Sequence, residues 1–545
     1  MSSTPASRIP LLSGRAVDAL LCGGVMLLAL AVRAWRLGDQ SVWYDEWITA
    51  RAVDVSGLAA RLRVQGELDW SFVPAYHVLQ YAWSELVSKS DTGLRWLSVL
   101  LSMAAFPPLY ALSLRLYGRW AASVATLVFA LAPYQVFQAQ SIRNYPLAIL
   151  ATIAGLYFLL RATEPGGRRG WWFANALANG VLLWTHAFGA FLFAVQGLYL
   201  LFFRRTPVRR WFIWGCAHAG LVLSVAVWQW TLPGNQLYPD VPPPPLGQVY
   251  KLVQHHYTHP FDWVDYNLPA DNAREVLSPL GAWFSARNDA NAFISPRMRL
   301  GLWLFRFSAI LLAWYLASSL WRARRDATEQ ERLYLTAAWT LIPLACLMAL
   351  AWGLHRQVLV ERYMTFAYIG LYVALGAGVA RLPHVWLRAC AAGLLVFLLG
   401  AQALALQVIP LRHDYLGAAR VFQQHARAGE PVIALKQNAA VLFAHNLHDA
   451  DRQVEQVPDY ETLLRRVSEE LDARGRAWVV VEAVPALVGY TDIEAGLGER
   501  LIETFQSRGW GYSCDVFSGM FNVWLLKVGE GDGGTLQSQT GRTAY

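Results

Sequence analysis

Charged residues are scarce in this chain. Only 15% of its 545 residues are Asp, Glu, Lys or Arg, whereas 55% are hydrophobic and 25 are Trp. Long apolar runs fill residues 16–410, while residues 411–545 have the mixed composition of a water-soluble domain. This pattern excludes a single water-soluble globule and predicts a polytopic α-helical membrane protein with an appended soluble domain.

Cysteine is also scarce, and the five cysteines are poorly placed for disulfides. Only Cys514 falls in the soluble domain, because the others lie inside apolar segments: Cys22, Cys216, Cys346 and Cys390. We therefore predict no disulfide framework and interpret the four as small buried apolar side chains. A cleaved signal peptide is not indicated either, since the first apolar segment is long and no small-residue cleavage site stands out.

Motifs for binding nucleotides are missing as well. The sequence contains neither G-x-x-x-x-G-K-[ST] nor a G-x-G-x-x-G that follows a strand. A substrate would therefore have to arrive already activated, most simply as a lipid phosphate. The net charge of +8 does not indicate a nucleic-acid partner, because the basic residues fall in short loops beside apolar segments.

Apolar segments of about 20 residues, long enough to span a bilayer, recur along the chain. Basic residues cluster in the loops between them, and all of these loops become cytoplasmic if the N-terminus is inside and residues 74–88 do not cross. That stretch is short and begins with Pro, so we predict an interfacial helix there. We predict about eleven spans with the C-terminus outside. The segments lie near 16–34, 94–116, 120–138, 144–161, 171–187, 188–204, 209–231, 299–321, 331–354, 363–381 and 386–408.

Three regions follow from this topology. Residues 1–409 form the membrane module, with outer loops 35–93 and 232–298. Residues 410–528 form a small outer α/β domain, and residues 529–545, rich in Gly, Ser, Thr and Gln, are predicted to be disordered. Within the α/β domain the sequence predicts two helices, two strands and a terminal hairpin: 415–428, 459–473, 431–435, 477–482, and 511–517 with 522–528.

An acidic pair between aromatic residues follows the first span, in Trp43-Tyr44-Asp45-Glu46-Trp47. Carboxylates at a membrane surface are costly unless they have partners or a chemical role. Such a pair can serve as a base toward a hydroxyl or amine. An ordinary solvated acid pair is the alternative, because aromatic residues also decorate membrane interfaces without any catalytic role.

Two arginines stand at the predicted outer ends of spans, against the positive-inside bias. Arg143 lies in Gln140-Ser141-Ile142-Arg143-Asn144-Tyr145, and Arg362 is followed by Tyr363. Guanidinium groups bind phosphate oxygens in bidentate fashion, so both are candidates for the phosphate of a lipid substrate. Each can instead be an interfacial anchor that snorkels to water.

Histidines and one further acid complete the candidates. Asp69 can act in the site or be a solvated loop acid, and His186, in a Thr-His turn, can satisfy that turn. The sequence His255-His256-x-x-His259 resembles a metal-ligand spacing, but Pro260 follows and no third ligand is evident, so a wet loop patch is the simpler interpretation. No metal site is predicted, no cofactor is required, and a divalent metal remains optional.

Four stretches resemble the GT-C superfamily of bacterial membrane glycosyltransferases, close to the dolichyl-phosphate-mannose protein mannosyltransferases and the lipid A aminoarabinose transferase. They are SVWYDEWITARAV, LAPYQVFQAQSIRNYPL, LLWTHAFGAFLFAVQGLYLLF and VERYMTFAYIGLYVALG. The resemblance implies a large first outer loop that carries the catalytic acid. It also implies a polyprenyl-monophosphate sugar donor, inversion at the anomeric carbon, and a location in the bacterial inner membrane.

The resemblance also implies roles for individual residues. Asp45 resembles the general base, and Glu46 would support it or orient the acceptor. Arg143 resembles the phosphate-binding arginine of the Arg-x-Tyr turn, which ends in Tyr145. Arg362 and Tyr363 form a second candidate phosphate site, and His186 belongs to the matching Thr-His turn. One element departs from the pattern Asp-x-x-His-Pro-Pro-x-Tyr: Asp69, Pro74 and Tyr76 remain, while Phe72 replaces the histidine.

The acceptor stays open among lipopolysaccharide, another glycan and a protein. Two other functions remain alternatives: a secondary transporter, which would show internal repeats and midplane charges, and a non-catalytic subunit of a polysaccharide-assembly system. The bilayer and the lipid-linked donor are the expected partners.

Overall fold

The computed structural model describes residues 14–69, 72–204, 206–232, 296–355, 358, 361–408, 412–447, 454–483, 497–517, 522–529 and 535–539. Its membrane module is helical. Seven of its helical segments are long and apolar enough to cross a bilayer: α1 (Gly14–Ala34), α5 with α6 (Asp91–Ala104 and Phe106–Tyr117), α9 (Tyr145–Thr163), α12 (Val208–Thr231), α13 (Pro296–Ala323), α14 (Ala327–Gly353) and α16 (Val385–Val408).

Each predicted span contains a helix, but not every helix has spanning length. Helices α7 (Arg119–Leu131) and α8 (Pro133–Ala139) meet at a 60° bend, and together they would be an eighth span. The others are shorter: α10 (Arg169–Thr185), α11 (Phe191–Phe202) and α15 (Tyr368–Ala380). The multi-pass membrane architecture is therefore confirmed, while the count of eleven is not.

Short helices build the first outer loop. They are α2 (Tyr44–Arg51), α3 (Leu58–Leu68) and α4 (Ala75–Leu86). Helix α4 has 12 residues and a length of about 18 Å, and it is not among the segments of spanning length. The interfacial helix predicted at 74–88 stays a prediction.

The basic loops meet at one end of the bundle. Arg115 pairs with Glu164 at 2.6 Å, and Arg204 pairs with Glu331 at 2.6 Å. Arg119 reaches Asp18 near the start of α1 at 2.6 Å. The other end of α1, about 31 Å away, contacts the 140–144 turn, where Gln140 Nε2 donates to the Arg33 carbonyl at 3.1 Å. The basic loops and the candidate site residues thus occupy opposite ends of the module.

The C-terminal residues form a six-stranded mixed sheet in the order β2-β1-β3-β5-β4-β6. Strand β1 pairs in parallel with β2 and β3, while β5 runs antiparallel to both β3 and β4. The predicted hairpin is confirmed as β4–β5. The elements are α17 (Tyr415–His425), β1 (Val432–Leu435), α18 (Lys436–Leu447), β2 (Val454–Val457), α19 (Tyr460–Arg474), β3 (Arg476–Ala483), α20 (Leu497–Ser507), β4 (Gly511–Phe517), β5 (Asn522–Gly529) and β6 (Thr535–Gln539).

The structure differs from the disorder predicted for residues 529–545 in one part of that range: Thr535–Gln539 form the edge strand β6, parallel to β4. For the rest of the range that lies outside the described residues, disorder stays a prediction. The free edge of β4 offers unpaired backbone groups, which can order a polar segment whose side chains alone give no strand signal.

The two faces of the sheet bury separate cores, as the two-residue period of a strand requires. One face, with Ile433 and Val479, packs under α19 and α20. The other face, with Val432 and Trp478, packs under α17 and α18 and also against Trp47 and Ile48 of α2. The domain therefore shares a hydrophobic core with the helix that carries the acidic pair.

Candidate active site

A cavity of about 320 Å³ opens at the end of the bundle where α1 ends. The first outer loop, the 140–144 turn, the turn between α10 and α11 and the segment before α15 surround it. Predicted site residues from all four regions line it: Asp45, Asp69, Arg143, Tyr145, His186, Arg362 and Tyr363. Residues far apart in the sequence thus converge on one space.

Arginines and aspartates face each other across this cavity. The Nη1 atom of Arg362 lies 2.9 Å from Oδ2 of Asp45. Arg143 donates to the backbone carbonyl of Asp45 at 3.1 Å, and its Nη2 lies 3.8 Å from Oδ2 of Asp69. The cavity therefore contains two carboxylates, each within reach of a guanidinium.

The guanidinium of Arg143 is held in its charged form. Burial alone would lower its pKa, but the carboxylates of Asp45 and Asp69 outweigh this effect and raise the pKa above its usual value. A second hydrogen bond, from Nη1 to Thr49 Oγ1 at 3.2 Å, fixes its orientation. A fixed, permanent cation suits a phosphate ligand.

Some polar atoms at the cavity are buried without a hydrogen-bond partner among the residues that the structure describes. They are Nε of Arg143, Oδ1 of Asn144 and Nδ1 of His186. Buried polar groups normally have partners, and leaving one unsatisfied costs about 1–3 kcal/mol. All three residues line the cavity, so a polar ligand there would satisfy these atoms.

Aromatic rings form one wall. The ring centroids of His186 and Tyr363 are 5.6 Å apart, and those of Tyr145 and His186 are 5.9 Å apart. Phe188 packs edge-on against Tyr363 at 5.2 Å. The guanidinium carbons of Arg143 and Arg362 lie 5.9 Å and 5.7 Å from the ring centroids of Tyr145 and Tyr363, so this apolar wall stands next to the cavity's cations.

Glu46 points away from the cavity and is fully buried. Arg95 binds both of its oxygens at 3.0 Å, Arg412 binds Oε2 at 2.7 Å, and the Ile142 amide donates to Oε1 at 2.8 Å. The carboxylate is thus saturated and cannot reach a substrate, which corrects its predicted catalytic role. Its contacts hold α2 in place instead.

Tyr76 is the second correction. Its side chain is fully buried, its hydroxyl lies 3.3 Å from Ser98 Oγ, and it does not line the cavity. It packs beneath the site rather than in it, so the predicted contact with substrate is replaced by a supporting one.

Two functional neighbours escaped the sequence analysis. Arg95 and Arg412 hold Glu46, and Arg412 also donates to Gln140 O and Ser141 Oγ, both at 2.9 Å. Both are arginines at the predicted outer side, where the positive-inside bias predicts few, so the pattern that indicated Arg143 also applies to them. This pattern does not indicate that Glu46 is their partner.

A histidine lies near the position where the sequence pattern lacks one. The ring of His77 contacts that of Phe72 at 5.0 Å and that of Tyr76 at 5.5 Å. Burial lowers the pKa of His77 to about 3, although the nearby Asp69 acts in the opposite direction. The imidazole is therefore neutral at physiological pH.

Among the residues that the structure describes, no group of three or more His, Cys, Asp or Glu side chains is arranged to hold a metal. His255, His256 and His259 lie outside the described residues. The wet loop patch predicted there stays a prediction.

One family model matches part of the chain. Residues 73–230 match the family model of dolichyl-phosphate-mannose-protein mannosyltransferase. This stretch includes Arg143, Tyr145 and His186. Over this stretch, the match bears out the resemblance to membrane glycosyltransferases that the sequence motifs indicated. A search of curated proteins found no match.

Solved structures with a similar course of the chain include ArnT from Cupriavidus metallidurans in the apo state. It is 15% identical with a TM-score of 0.44, over 94% of this chain and 98% of that one. AglB from Archaeoglobus fulgidus, in complex with an inhibitory peptide and a dolichol-phosphate, is 12% identical with a TM-score of 0.48, over 86% and 69%. Arabinofuranosyltransferase AftD from Mycobacteria is 17% identical with a TM-score of 0.43, over 86% and 37%.

Proposed function

We propose that this protein is an inverting glycosyltransferase that moves a sugar from a polyprenyl-phosphate carrier to a surface acceptor. The observation that carries the proposal is the cavity in which the Asp45 carboxylate and the guanidiniums of Arg143 and Arg362 meet. It lies at the rim of an apolar helix bundle, where the headgroup of a membrane lipid would be found.

The donor phosphate would bind between Arg143 and Arg362. Charge-assisted hydrogen bonds from two guanidiniums suit the oxygens of a phosphate. The Nε–H group of Arg143, which has no hydrogen-bond partner among the described residues, would bind one more phosphate oxygen. The isoprenoid tail would extend along the lipid-facing helices, and the sugar would face the wall of Tyr145, His186 and Tyr363.

Asp45 would act as the base. It would take the proton from the acceptor hydroxyl or amine as that atom attacks the anomeric carbon from the side opposite the phosphate. The bond between this carbon and the phosphate oxygen breaks, and the polyprenyl phosphate leaves with its charge held by the arginines. Electrostatic stabilisation of the leaving phosphate is the largest contribution we expect.

The ion pair between Arg362 and Asp45 would make binding of the lipid-linked donor precede deprotonation of the acceptor. While Arg362 holds Asp45, the carboxylate is less available to an acceptor. A bound phosphate would compete for Arg362 and weaken the 2.9 Å contact, so the base would be freed when the donor is in place.

The orientation of the membrane module belongs to the same proposal. With the basic loops in the cytoplasm, the N-terminus is inside, and the cavity and the C-terminal domain lie on the outer face of the bacterial inner membrane. The grouping of those loops at one end of the bundle supports this arrangement, with about eleven crossings when the shorter helices are included.

Mass spectrometry of surface glycans tests the function. A strain that lacks the protein should lose one sugar from its glycan, and the intact protein should restore it. Asp45→Asn should fail, whereas the control Asp54→Asn, an exposed acid of the same outer loop, should succeed. Full restoration by Asp45→Asn at equal protein level would contradict the proposed chemistry.

A further inference from the structure

A larger cavity lies at the opposite end of the bundle from Asp45. Its volume is about 890 Å³, and it opens between α13, α14, α15 and α16, next to the loop after α6. Gly118 of that loop lines it, and the neighbouring Arg119 contacts the start of α1, with Nη2 3.2 Å from the Gly14 carbonyl. None of the residues assigned to glycosyl transfer borders it.

Arginines dominate its polar lining. Arg322, Arg332, Arg381 and Arg388 surround a single carboxylate, that of Glu329. Arg332 binds this carboxylate at 2.7 Å, and Arg381 contacts it as well. One anion therefore faces four cations.

Two of these arginines are not neutralised. Arg388 uses Nε to bind the Leu382 carbonyl at 2.8 Å, which leaves the rest of its guanidinium available. In the part of the chain that the structure describes, neither Arg322 nor Arg388 forms an ion pair. Arg322 is exposed at the end of α13 and Arg388 is half-buried in α16, so two neighbouring helices each contribute one of these arginines to the cavity.

Tryptophans form the apolar side of the same cavity. Trp314 and Trp321 line it, and they are 41% and 65% exposed. Leu320 and Trp386 nearby are also largely exposed. Tryptophan prefers the depth of lipid headgroups, so this rim faces the bilayer. A ligand that satisfied both sides would be anionic at one end and apolar at the other.

We propose that this cavity binds an anionic phospholipid, with the headgroup phosphate between Arg322 and Arg388 and the acyl chains along Trp314 and Trp321. Basic pockets between membrane helices are suited to such headgroups. A free phosphate would use the arginines but gain nothing from the tryptophans. The lipid would bridge α13 and α16, each of which supplies one of the two arginines.

Binding of lipids to the delipidated, detergent-solubilised full chain tests this site. Cardiolipin and phosphatidylglycerol should remain bound in native mass spectrometry and raise the Tm, whereas phosphatidylcholine and inorganic phosphate should do neither. The double variant Arg322→Gln with Arg388→Gln should bind cardiolipin about 30-fold more weakly, as expected for two basic residues near a membrane surface.

The matched control is Arg168→Gln with Arg325→Gln. Both residues are exposed arginines of the basic loops, and neither lines the cavity. This variant should bind cardiolipin like the unaltered protein. Equal losses in both double variants, equal binding of phosphatidylcholine, or an equal shift with inorganic phosphate would each overturn the site. The measurement needs no glycosyl transfer, so its outcome is independent of the proposed activity.

Discussion

The side chains of Asp45 and Glu46 on α2 lie in opposite environments, although the two residues are adjacent in the sequence. Asp45 faces a cavity, where Arg362 binds its carboxylate. Glu46 is sealed among two arginines and a backbone amide. A carboxylate that must exchange a proton needs an open approach and a partner that can leave. A carboxylate that must hold a helix still needs the reverse.

The contrast also separates the arginines. Those around the cavity, Arg143 and Arg362, bind groups that a phosphate can replace. Those around Glu46, Arg95 and Arg412, have no solvent-exposed side to offer a ligand. Substitutions on the two sides should therefore damage different properties, namely turnover on the first side and stability on the second.

The largest effect is expected for Asp45→Asn. Loss of the base should reduce kcat by about 10²–10⁴-fold and leave the Tm nearly unchanged, because the carboxylate is not buried in a network. Single-turnover transfer from a lipid-linked donor by the purified protein, together with thermal unfolding, measures both. A large fall in Tm would show that the Asp45 carboxylate stabilises the fold as the Glu46 carboxylate does, and it would contradict the proposed difference between the two residues.

Arg143→Gln should rank second. Removal of the cation from the leaving phosphate should lower kcat/KM by about 10²–10³-fold. The comparison is with Arg51→Gln, an exposed arginine of α2 that does not line the cavity, which should keep near-normal kcat/KM in the same assay. Similar losses in both variants would show that the arginine acts only through the general charge of the loop.

Arg412→Gln tests the stabilising role of the buried network around Glu46. Removing one partner of a buried ion pair leaves an uncompensated charge, and we expect a loss of about 3–5 kcal/mol in the free energy of unfolding. Thermal unfolding in detergent measures it, with Arg427→Gln, an exposed arginine of the same domain, as control. An unchanged Tm with normal expression would contradict the stabilising role of the Glu46 network.

His186→Phe should have a smaller effect and raise the KM for the lipid-linked donor about tenfold. The substitution keeps the aromatic wall but removes Nδ1, which has no hydrogen-bond partner among the described residues. Steady-state kinetics at varied donor concentration separates KM from kcat. A change confined to kcat would place the imidazole at the reacting atoms rather than beside the sugar.

The smallest expected effect is a change in how the Tm depends on pH. The pKa of His77 falls to about 3 in the folded protein, from an ordinary value of 6.5. Between these values the unfolded chain binds a proton that the folded chain does not, so this residue makes the fold less stable as the pH drops from about 6.5 toward 3. Tm measured against pH should decline less steeply in His77→Gln. Identical slopes would exclude a buried neutral imidazole.

Several residues that line the cavity could be predicted because their charges are unusual at their positions in the sequence. Arg143 and Arg362 are cations on the side where few are expected, and Asp45 is an acid among interfacial aromatics. Glu46 was misassigned because adjacency in sequence suggested a shared environment. In a helix, successive side chains point about 100° apart, and only the structure shows which direction leads to the cavity.

Other features were hidden for different reasons. The contact between Glu46 and Arg412 joins residues 366 positions apart, which no local pattern reports. The bend after Leu131 had a signal in Pro133, since proline disfavours helical backbone in the preceding residue, Ala132. A continuous apolar run over 120–138 masked it. Strand β6 depends on a neighbouring edge and not on its own composition.

The long-range clasp between Glu46 and Arg412 also has a consequence for biogenesis. The first outer loop leaves the ribosome early and Arg95 can then bind Glu46, but Arg412 can complete this network only after the last span has been synthesised. The C-terminal sheet can fold against Trp47 only later still. We therefore expect the polypeptide to stay catalytically silent throughout translation. A nascent or prematurely terminated product would then consume none of the cell's lipid-linked sugar.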